Sequence, residues 1–243
     1  MGNNLFSHGN VAGSSFSQLY IQLRKKEQRI YTDEQVSRLP VIEDNHSHYN
    51  EWKYRRQSSE RLVDYLANKT RALNVLEVGC GNGWLSAKIA EVPDATVIGI
   101  DVNIEELNQA KRVFEKENLQ FSVAEISDLS NNEFDIIIFA ASIQYFASFK
   151  KVIDIAMAML SEDGEIHIID TPLYKSSEIT EAAKRSRLYY SGMGFREMSN
   201  YYFQHSIEEL QGYNYKMLFD PHTLSNRFLR KRGLFYWVCI RKQ

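Results

Sequence analysis

The sequence predicts an α/β fold, a doubly wound and mostly parallel sheet with an N-terminal helical cap. Three observations predict it. Short β-rich runs alternate with helical runs of about 10–15 residues, the run FDIIIF is apolar almost throughout, and the first β-rich run leads through glycines into a helix. Parallel strands need crossover helices, and a strand that helices cover on both faces is apolar throughout. The 243 residues are enough for such a domain.

The elements of this fold can be placed from apolar spacing, capping residues and glycines. In the first 70 residues, helices are expected over 16–30 and 54–68, with a short one between them that begins at the capping box of Thr32 and ends before Pro40. Further on, strands are expected at 73–78, 95–100, 119–124, 134–139, 165–170 and 234–240. The helices that connect these strands are expected at 84–91, 104–118, 149–160 and 178–191.

Three regions are expected along the chain. Residues 1–15 are rich in Gly, Asn and Ser, so we expect them to be disordered. Residues 16–70 form the helical cap, because they carry too few apolar residues for a core of their own. Residues 71–243 form the ligand-binding domain, with an aromatic-rich insertion at about 195–232 that serves the substrate.

The composition narrows the classes of partner. There are 29 Lys+Arg and 31 Asp+Glu residues, a net charge of −2, so no basic field favours nucleic acid or an anionic membrane. The sequence contains no uninterrupted run of 18 apolar residues, so it predicts no helix that spans a membrane. The two cysteines, Cys80 and Cys239, are too few for a disulfide framework and favour a reduced, cytoplasmic location. The expected partner is a small molecule, and the oligomeric state is left open.

The glycine-rich loop after the first expected strand is the most informative motif. Glu77 precedes Gly79, Gly81 and Gly83, and Asp101 ends the next strand, 20 residues after Gly81. Glycines permit positive φ and let a ligand lie against bare backbone, and the following helix presents free N–H groups. An acid at the end of the second strand can accept hydrogen bonds from both hydroxyls of an adenosine ribose. The sequence therefore predicts a site for an adenosine-containing cofactor.

Two cofactors compete for this loop. The dinucleotide fingerprint is Gly-x-Gly-x-x-Gly, but Gly83 comes one place early and Trp84 stands at the dinucleotide position. The carboxylate of Glu77 would oppose a pyrophosphate, whereas it suits a ligand with ammonium and sulfonium groups and no phosphate. These features favour S-adenosylmethionine over NAD.

Four motifs carry a family resemblance. VLEVGCGNG (75–83), IGIDV (98–102), FDIIIF (134–139) and the turn SEDG (161–164) resemble the successive motifs of the class I S-adenosylmethionine-dependent methyltransferases, of the type that acts on small molecules. The resemblance covers about residues 55–171. It implies a seven-stranded sheet whose reversed final strand, the run 234–240, lies beside the strand at 165–170.

The resemblance also implies which residues bind the cofactor. Glu77 and the backbone of the glycine loop would hold the methionine moiety, and Asp101 the ribose. The family usually has Asp where this chain has Glu125, so Asp128 competes with Glu125 for a place beside the adenine. Ala140 and Ala141, just after the fourth expected strand, would line the sulfonium. The implied set is Glu77, Gly79, Cys80, Gly81, Asp101, Val102, Glu125, Ile126 and Ala140.

The helical cap supplies two further cofactor candidates. Related enzymes often close an aromatic residue and an arginine from an N-terminal helix over the methionine end. Tyr49 and Arg55 are the residues expected to do so here. The pair His46 and His48 has no third ligand at a plausible spacing, so we predict no metal site.

Catalytic residues are harder to predict, because the cofactor already carries its leaving group. Tyr145 follows the fourth expected strand and is one candidate; His48 is a candidate general base, with His205 as its rival. The fourth-strand loop lacks the Asn/Asp-Pro-Pro-aromatic signature of amino-methylating nucleic-acid enzymes. An aromatic cluster could form the wall of a pocket for a ring-containing substrate. It comprises Tyr189, Tyr190, Tyr201, Tyr202, Phe203, Tyr213 and Tyr215.

The predicted function is transfer of a methyl group from S-adenosylmethionine to an unidentified small-molecule acceptor by in-line displacement. One alternative is a nicotinamide-dependent oxidoreductase, but the two Tyr-x-x-x-Lys pairs, at 49–53 and 65–69, both precede the glycine loop. The other alternative is a non-catalytic protein of the same fold that binds the cofactor or a partner.

Overall fold

The computed structural model describes residues 14–129, 133–223 and 235–242. Within these ranges the strands are β1 (Leu73–Val78), β2 (Ala95–Asp101), β3 (Leu119–Val123), β4 (Phe134–Ala140), β5 (Leu160–Ile169), β6 (Leu173–Tyr174), β7 (His205–Ser206), β8 (Asn214–Phe219) and β9 (Trp237–Arg241). The α-helices are α1 (Ser14–Lys26), α2 (Asp33–Arg38), α3 (Tyr49–Ala67), α4 (Trp84–Ile89), α5 (Ile104–Val113), α6 (Phe149–Ala158) and α7 (Ile179–Gly192). Short 3-10 turns connect several of them.

Seven strands form one sheet in the order β3-β2-β1-β4-β5-β9-β8, and β6 and β7 form a separate pair. The strands from β3 to β5 run parallel, whereas β9 is antiparallel to both β5 and β8. The doubly wound sheet and the reversed strand beside β5 are therefore confirmed. The reversed strand begins at Trp237 rather than at residue 234, which lies outside the described residues.

The strand β8 was not identified from sequence. Its first three residues are exposed at the edge of the sheet, so it shows no clear alternation of apolar and polar residues. It lies within the segment 195–232 that we expected to be an insertion, and residues 224–232 of that segment are outside the described ranges. Residues 1–13, expected to be disordered, are also outside them.

Two hydrophobic cores cover the two faces of the sheet. Ile136 and Ile138 of β4 face one core, which α3, α4 and α5 complete. Ile137 and Phe139 face the other core, where α6 packs. All four side chains are fully buried, as the apolar run of β4 predicts for a strand covered on both sides.

The cap helices pack on the domain in different ways. Helix α2 has the predicted capping box at Thr32, and α3 buries Leu62 in the first core. Helix α1 lies over the carboxyl edge of the sheet, where Ser17 donates a hydrogen bond to the Val102 carbonyl at 3.3 Å. Its Leu23 packs in a third cluster with residues of α7. The cap thus closes the edge to which the glycine loop belongs.

Several helix boundaries differ from the prediction, and the largest differences are in α1, α3 and α5. Helix α1 ends at Lys26, four residues before the expected end at 30. Helix α3 begins at Tyr49, five residues before the expected start at 54, so the preceding polar stretch contributes its first turn. Helix α5 ends at Val113 instead of 118. There the side-chain amide of Asn118 donates to the carbonyls of Ala90 and Ala95, and these bonds fix a turn in place of a last helical turn.

Candidate active site

Three adjoining cavities open at the carboxyl edge of the sheet. The glycine-loop crevice is lined by Glu77, Cys80, Gly81 and Trp84 among others. The strand-end cavity, about 370 Å³, is lined by Asp101, Val102, Glu125 and Ile126. The tyrosine-rich cavity, about 650 Å³, contains Tyr20, Tyr54, Tyr145, Tyr189, Tyr190 and Tyr202. Tyr20 and Ala141 line all three.

The glycine loop needs bare backbone at two points. Gly79 has a φ of +76°, and a Cβ on it would lie 2.5 Å from the Cβ of Ser142. Gly83 has the same φ, and a Cβ there would lie 2.5 Å from the ring of Phe121. The Ser142 hydroxyl donates to the Val78 carbonyl at 2.6 Å, so the loop and the end of β4 are held in close contact. Side chains at either glycine would push the loop off the sheet edge.

Asp101 fixes the loop against the end of β2. One carboxylate oxygen accepts the Gly81 N–H and the other accepts the Asn103 N–H, each at 2.8 Å. A carboxylate can accept about four hydrogen bonds, so two remain available for groups in the strand-end cavity. Asp101 therefore lines the strand-end cavity with its carboxylate fixed by backbone N–H groups.

Acidic side chains gather in the crevice without matching cations of their own. Glu77 is 3% exposed. Burial and the nearby charge of Asp101 raise its pKa to about 8, although the Ser86 hydroxyl donates to the carboxylate. Burial and Asp101 also raise the pKa of Glu106 to about 7. Burial raises the pKa of Asp101 as well. The crevice is therefore suited to a cationic ligand.

Arginines stand opposite these acids. Arg24, Arg29 and Arg55 line both the glycine-loop crevice and the tyrosine-rich cavity. Arg29 pairs with Glu51 at 2.6 Å and with Glu27 at 3.3 Å, and Arg55 pairs with Glu51 at 3.1 Å. Arg24 lies 3.6 Å from Glu27, so the three guanidinium groups share these two carboxylates. The crevice thus holds positive groups as well as buried acids.

This donor set fits S-adenosylmethionine. That cofactor carries an ammonium, a sulfonium and a carboxylate, and it has no phosphate. The crevice offers buried acids for the cations and arginines for the carboxylate, while the strand-end cavity offers Asp101 and the apolar side chains of Ile100 and Ile126 for an adenosine.

The structure brings most of the predicted cofactor residues together. Glu125 and Ile126 line the strand-end cavity, as the resemblance implies. The rival Asp128 accepts the Glu125 N–H at 2.9 Å and so caps the short turn that follows β3. Around the crevice and the strand-end cavity lie Glu77, Gly79, Cys80, Gly81, Asp101, Val102, Ala140 and Arg55.

Tyr49 and His48 lie elsewhere. Tyr49 lines a separate cavity between α3 and the segment that follows α2, with Lys53 6.0 Å from its ring centre. The His48 ring lies 2.7 Å from the Glu27 carbonyl and does not belong to the described residues that line the three cavities. Tyr20, on α1, is an aromatic residue that does line the glycine-loop crevice. Its spacing of four residues from Arg24 in an amphipathic helix was the signal available in the sequence.

Tyr145 separates the strand-end cavity from the tyrosine-rich cavity. Its ring centre lies 5.7 Å from that of Phe16 and 5.8 Å from those of Tyr20 and Tyr202. Burial raises the pKa of Tyr145, so its hydroxyl is neutral. The rival base His205 is buried, with Nε2 3.0 Å from the Phe146 carbonyl. This placement favours a wall role for Tyr145 and a structural role for His205.

A buried cluster of three residues whose side chains can bind metal ions lies away from this edge of the sheet. Atoms of Glu165, His167 and Cys239 lie within 4.8 Å of one another. Glu165 is already bound by Lys69 at 2.8 Å and by His167 at 3.2 Å, and the Trp237 indole donates to the other His167 nitrogen. The protein's own groups therefore satisfy the cluster. Among the described helices, none has the length and apolar character to cross a membrane.

Comparison with known proteins places the chain in a family. The family model of the methyltransferase domain matches residues 69–218, more than half of the chain. Malonyl-[acyl-carrier protein] O-methyltransferase of Acetivibrio thermocellus is 27% identical over 115 residues, 46% of this chain and 41% of that protein. A tRNA U34 carboxymethyltransferase of Campylobacter fetus is 22% identical over 68% of this chain and 58% of its own length. The chain thus spans about half the length of these curated relatives.

Solved structures share the fold. The plantazolicin methyltransferase BpumL in complex with SAH has a TM-score of 0.55 and 16% identity, covering 93% of this chain and 100% of that one. Magnesium protoporphyrin IX methyltransferase from Synechocystis PCC 6803 with bound SAH has a TM-score of 0.58 and 14% identity, covering 95% of each chain. With the family model and the sheet order, these likenesses show that this protein belongs to the class I S-adenosylmethionine-dependent methyltransferases.

Proposed function

We propose that the protein transfers a methyl group from S-adenosylmethionine to a small-molecule acceptor. The observation that supports this best is the meeting of three cavities at Tyr20 and Ala141. Two of them carry the groups that fit the cofactor, and the third is a separate space for an acceptor. When bound, the cofactor supplies a methyl group on a cationic sulfur, which an in-line nucleophile can displace.

Each part of the site has a distinct binding task in this proposal. Glu77 and Glu106 hold the ammonium side, and Arg55 with its neighbouring arginines holds the carboxylate. Asp101 binds the ribose hydroxyls with its remaining lone pairs. Glu125 and Ile126 frame the adenine. The protein thus orients the donor mainly by charge placed in a buried crevice.

The proposed acceptor cavity adjoins the proposed cofactor site. Tyr20 and Tyr145 stand where the tyrosine-rich cavity meets the strand-end cavity. Gln144 is buried beneath them, where its amide donates to the Ala141 carbonyl at 2.6 Å and accepts from the Thr171 hydroxyl at 3.1 Å. These bonds fix the turn after β4 and so position the acceptor toward the donor.

The alternatives fit less well. A nicotinamide cofactor would bring a pyrophosphate to the loop beside the buried Glu77, an unfavourable pairing of like charges. A cofactor-binding protein without turnover has the same crevice, and it would be revealed by binding without product. By their names, the curated relatives act on different acceptors, including a malonyl-[acyl-carrier protein] and a tRNA. We favour a small molecule because the tyrosine-rich cavity, about 650 Å³, is of ligand-pocket size. We also propose a cytoplasmic location, because the two cysteines are too few for a disulfide framework.

Calorimetric titration with S-adenosylhomocysteine tests the proposal. We expect micromolar binding, and no binding of NADH at the same concentrations. Asp101→Ala should weaken binding at least tenfold, since a charge-assisted contact contributes about 1.5–3 kcal/mol. Asp154→Ala, on the exposed face of α6, is the matched control and should bind as the wild type does. Tighter binding of NADH than of S-adenosylhomocysteine would contradict the proposal.

A further inference from the structure

Asp170 combines three features that the cofactor site does not use. It follows β5 directly and lines the tyrosine-rich cavity. Its φ is +54°, in the left-handed region that non-glycine residues rarely adopt. Its Oδ2 atom is buried and has no hydrogen-bond partner among the described residues. Strained backbone and an unsatisfied buried oxygen at a cavity wall are features that concentrate at functional sites.

The place of Asp170 in the sheet brings it to the junction of the cavities. Ala140 of β4 pairs with Ile169 of β5, and the Ala141 N–H donates to the Ile169 carbonyl at 3.0 Å. Ala141 and Asp170 are therefore the first residues after β4 and β5, which are neighbouring strands. Ala141 has a φ of +52°, so the backbone leaves both strands in the same left-handed conformation. Since Ala141 lines all three cavities, Asp170 stands on the acceptor side of the expected transfer point.

Two other acids of the described residues, Asp101 and Glu165, have partners on both oxygens. Asp101 accepts backbone N–H groups on both oxygens at 2.8 Å. Glu165 is bound by the Tyr65 hydroxyl at 3.0 Å and by Lys69 at 2.8 Å. Asp170 differs from both, because its Oδ2 atom has no hydrogen-bond partner among the described residues while the residue itself is only partly buried at the cavity wall.

The charges that face Asp170 come from α3. Burial raises its pKa above the ordinary range of aspartate, and Glu51 adds to this. Arg55 and Arg61 act in the opposite direction, as does the Ser58 hydroxyl. The net effect is a raised pKa, which makes the carboxylate a stronger base than an exposed aspartate.

The walls of the tyrosine-rich cavity indicate which acceptors fit. Six tyrosines and Phe235 line it, together with Pro172. Aromatic walls favour planar rings through stacked and edge-to-face contacts. An acceptor of this kind carries its nucleophile as an O–H or N–H on or beside a ring.

We propose that Asp170 is the proton acceptor for a ring-containing acceptor with an O–H or N–H nucleophile. The proposal rests on the methyltransferase function proposed above. The proton of the acceptor passes to the Asp170 carboxylate, and the freed lone pair forms the new bond to the methyl carbon. The carbon–sulfur bond breaks, and its electron pair stays on sulfur. Asp170 then releases the proton to water.

The first test needs no acceptor. In protein labelled with ¹³Cγ-aspartate and saturated with S-adenosylhomocysteine, NMR follows the Asp170 carboxyl, which Asp170→Asn assigns by loss of its signal. We expect it to titrate above the ordinary range of aspartate. Titration at or below that range overturns the proposal. Loss of S-adenosylhomocysteine binding by the wild type would instead refute the methyltransferase function.

The second test uses methyl-labelled S-adenosylmethionine with a panel of phenols, N-heterocycles and aryl amines. For an acceptor that the wild type methylates, Asp170→Asn should lower kcat by about 100-fold or more. KM and S-adenosylhomocysteine affinity should change less than threefold, and the acidic limb of the pH–rate profile should disappear. Asp170→Glu should restore part of the rate, and Asp154→Asn should match the wild type. Retention of kcat within threefold by Asp170→Asn overturns the proposal.

Discussion

Glu77 and Glu165 are both buried strand carboxylates, 3% and 2% exposed, yet their surroundings differ in kind. Burial would raise the pKa of Glu165, but bonds from His167 and Lys69 outweigh it and hold that pKa well below the ordinary range. At Glu77 burial dominates, and the pKa rises to about 8. One acid is paired and stabilises the fold, whereas the other lies beside a crevice and keeps its proton at neutral pH. The comparison shows that the partners of a buried acid, more than its burial, set the direction in which its pKa moves.

The largest effect should come from breaking the paired acid. Glu165→Ala leaves His167, Lys69 and Arg241 without their common partner, so we expect a loss of about 3 kcal/mol in the free energy of unfolding at pH 7. Because the pKa of Glu165 is lowered by folding, its contribution is present above the ordinary carboxyl pKa and is lost as pH falls. The difference from wild type should therefore shrink between pH 5 and pH 3.

Urea unfolding at both ends of that pH range measures this prediction. Glu181→Ala, exposed on α7, is the control and should change stability by less than about 0.5 kcal/mol. Equal stability of Glu165→Ala and wild type at pH 7 would remove the contrast between the two acids.

A smaller effect should come from the loop beside the unpaired acid. Gly79→Ala places a Cβ 2.5 Å from Ser142 at a φ of +76°, so we expect a loss of about 2 kcal/mol and at least tenfold weaker S-adenosylhomocysteine binding. Gly192→Ala, at the end of α7, meets nothing within 4 Å and should stabilise the protein by about 0.5 kcal/mol. Thermal unfolding and calorimetry measure both variants. Similar effects from the two substitutions would show that the loop does not need bare backbone.

The smallest effect is expected at Tyr145, where two substitutions distinguish packing by the ring from binding by the hydroxyl. Tyr145→Phe keeps the ring contacts with Phe16, Tyr20 and Tyr202, so S-adenosylhomocysteine affinity should stay within twofold of wild type. Tyr145→Ala removes those contacts and should weaken binding about fivefold, the equivalent of roughly 1 kcal/mol for an aromatic pair. A tenfold loss in Tyr145→Phe would show that the hydroxyl itself binds the cofactor.

Sequence predicted the parts of this molecule that depend on local pattern. The register of Glu77, Gly79 and Asp101 follows from strand–loop–helix geometry, and the apolar run of β4 from burial on both faces. These residues lie at strand ends, and strand ends in a parallel sheet must share one edge.

The missed features depend on contacts between distant segments. Tyr20 reaches the site because α1 packs on α7, a contact that no local pattern encodes. Tyr49 has the expected chemistry but points away from the site on α3. The edge strand β8 carries polar residues on its exposed half, so its periodicity was hidden. The unsatisfied oxygen of Asp170 is visible only in three dimensions.

We propose that Glu77 loses a proton when it binds the ammonium group of the cofactor. Calorimetric titration of wild type and Glu77→Gln with S-adenosylhomocysteine between pH 6 and 8.5, in two buffers of different ionisation enthalpy, tests it directly. We predict that wild-type affinity rises with pH toward the Glu77 pKa of about 8, with release of a proton on binding at the lower pH values. Glu77→Gln should bind at least tenfold more weakly at pH 8 and lose most of that rise. Equal affinity of the two proteins, or no proton release by the wild type, would contradict the claim.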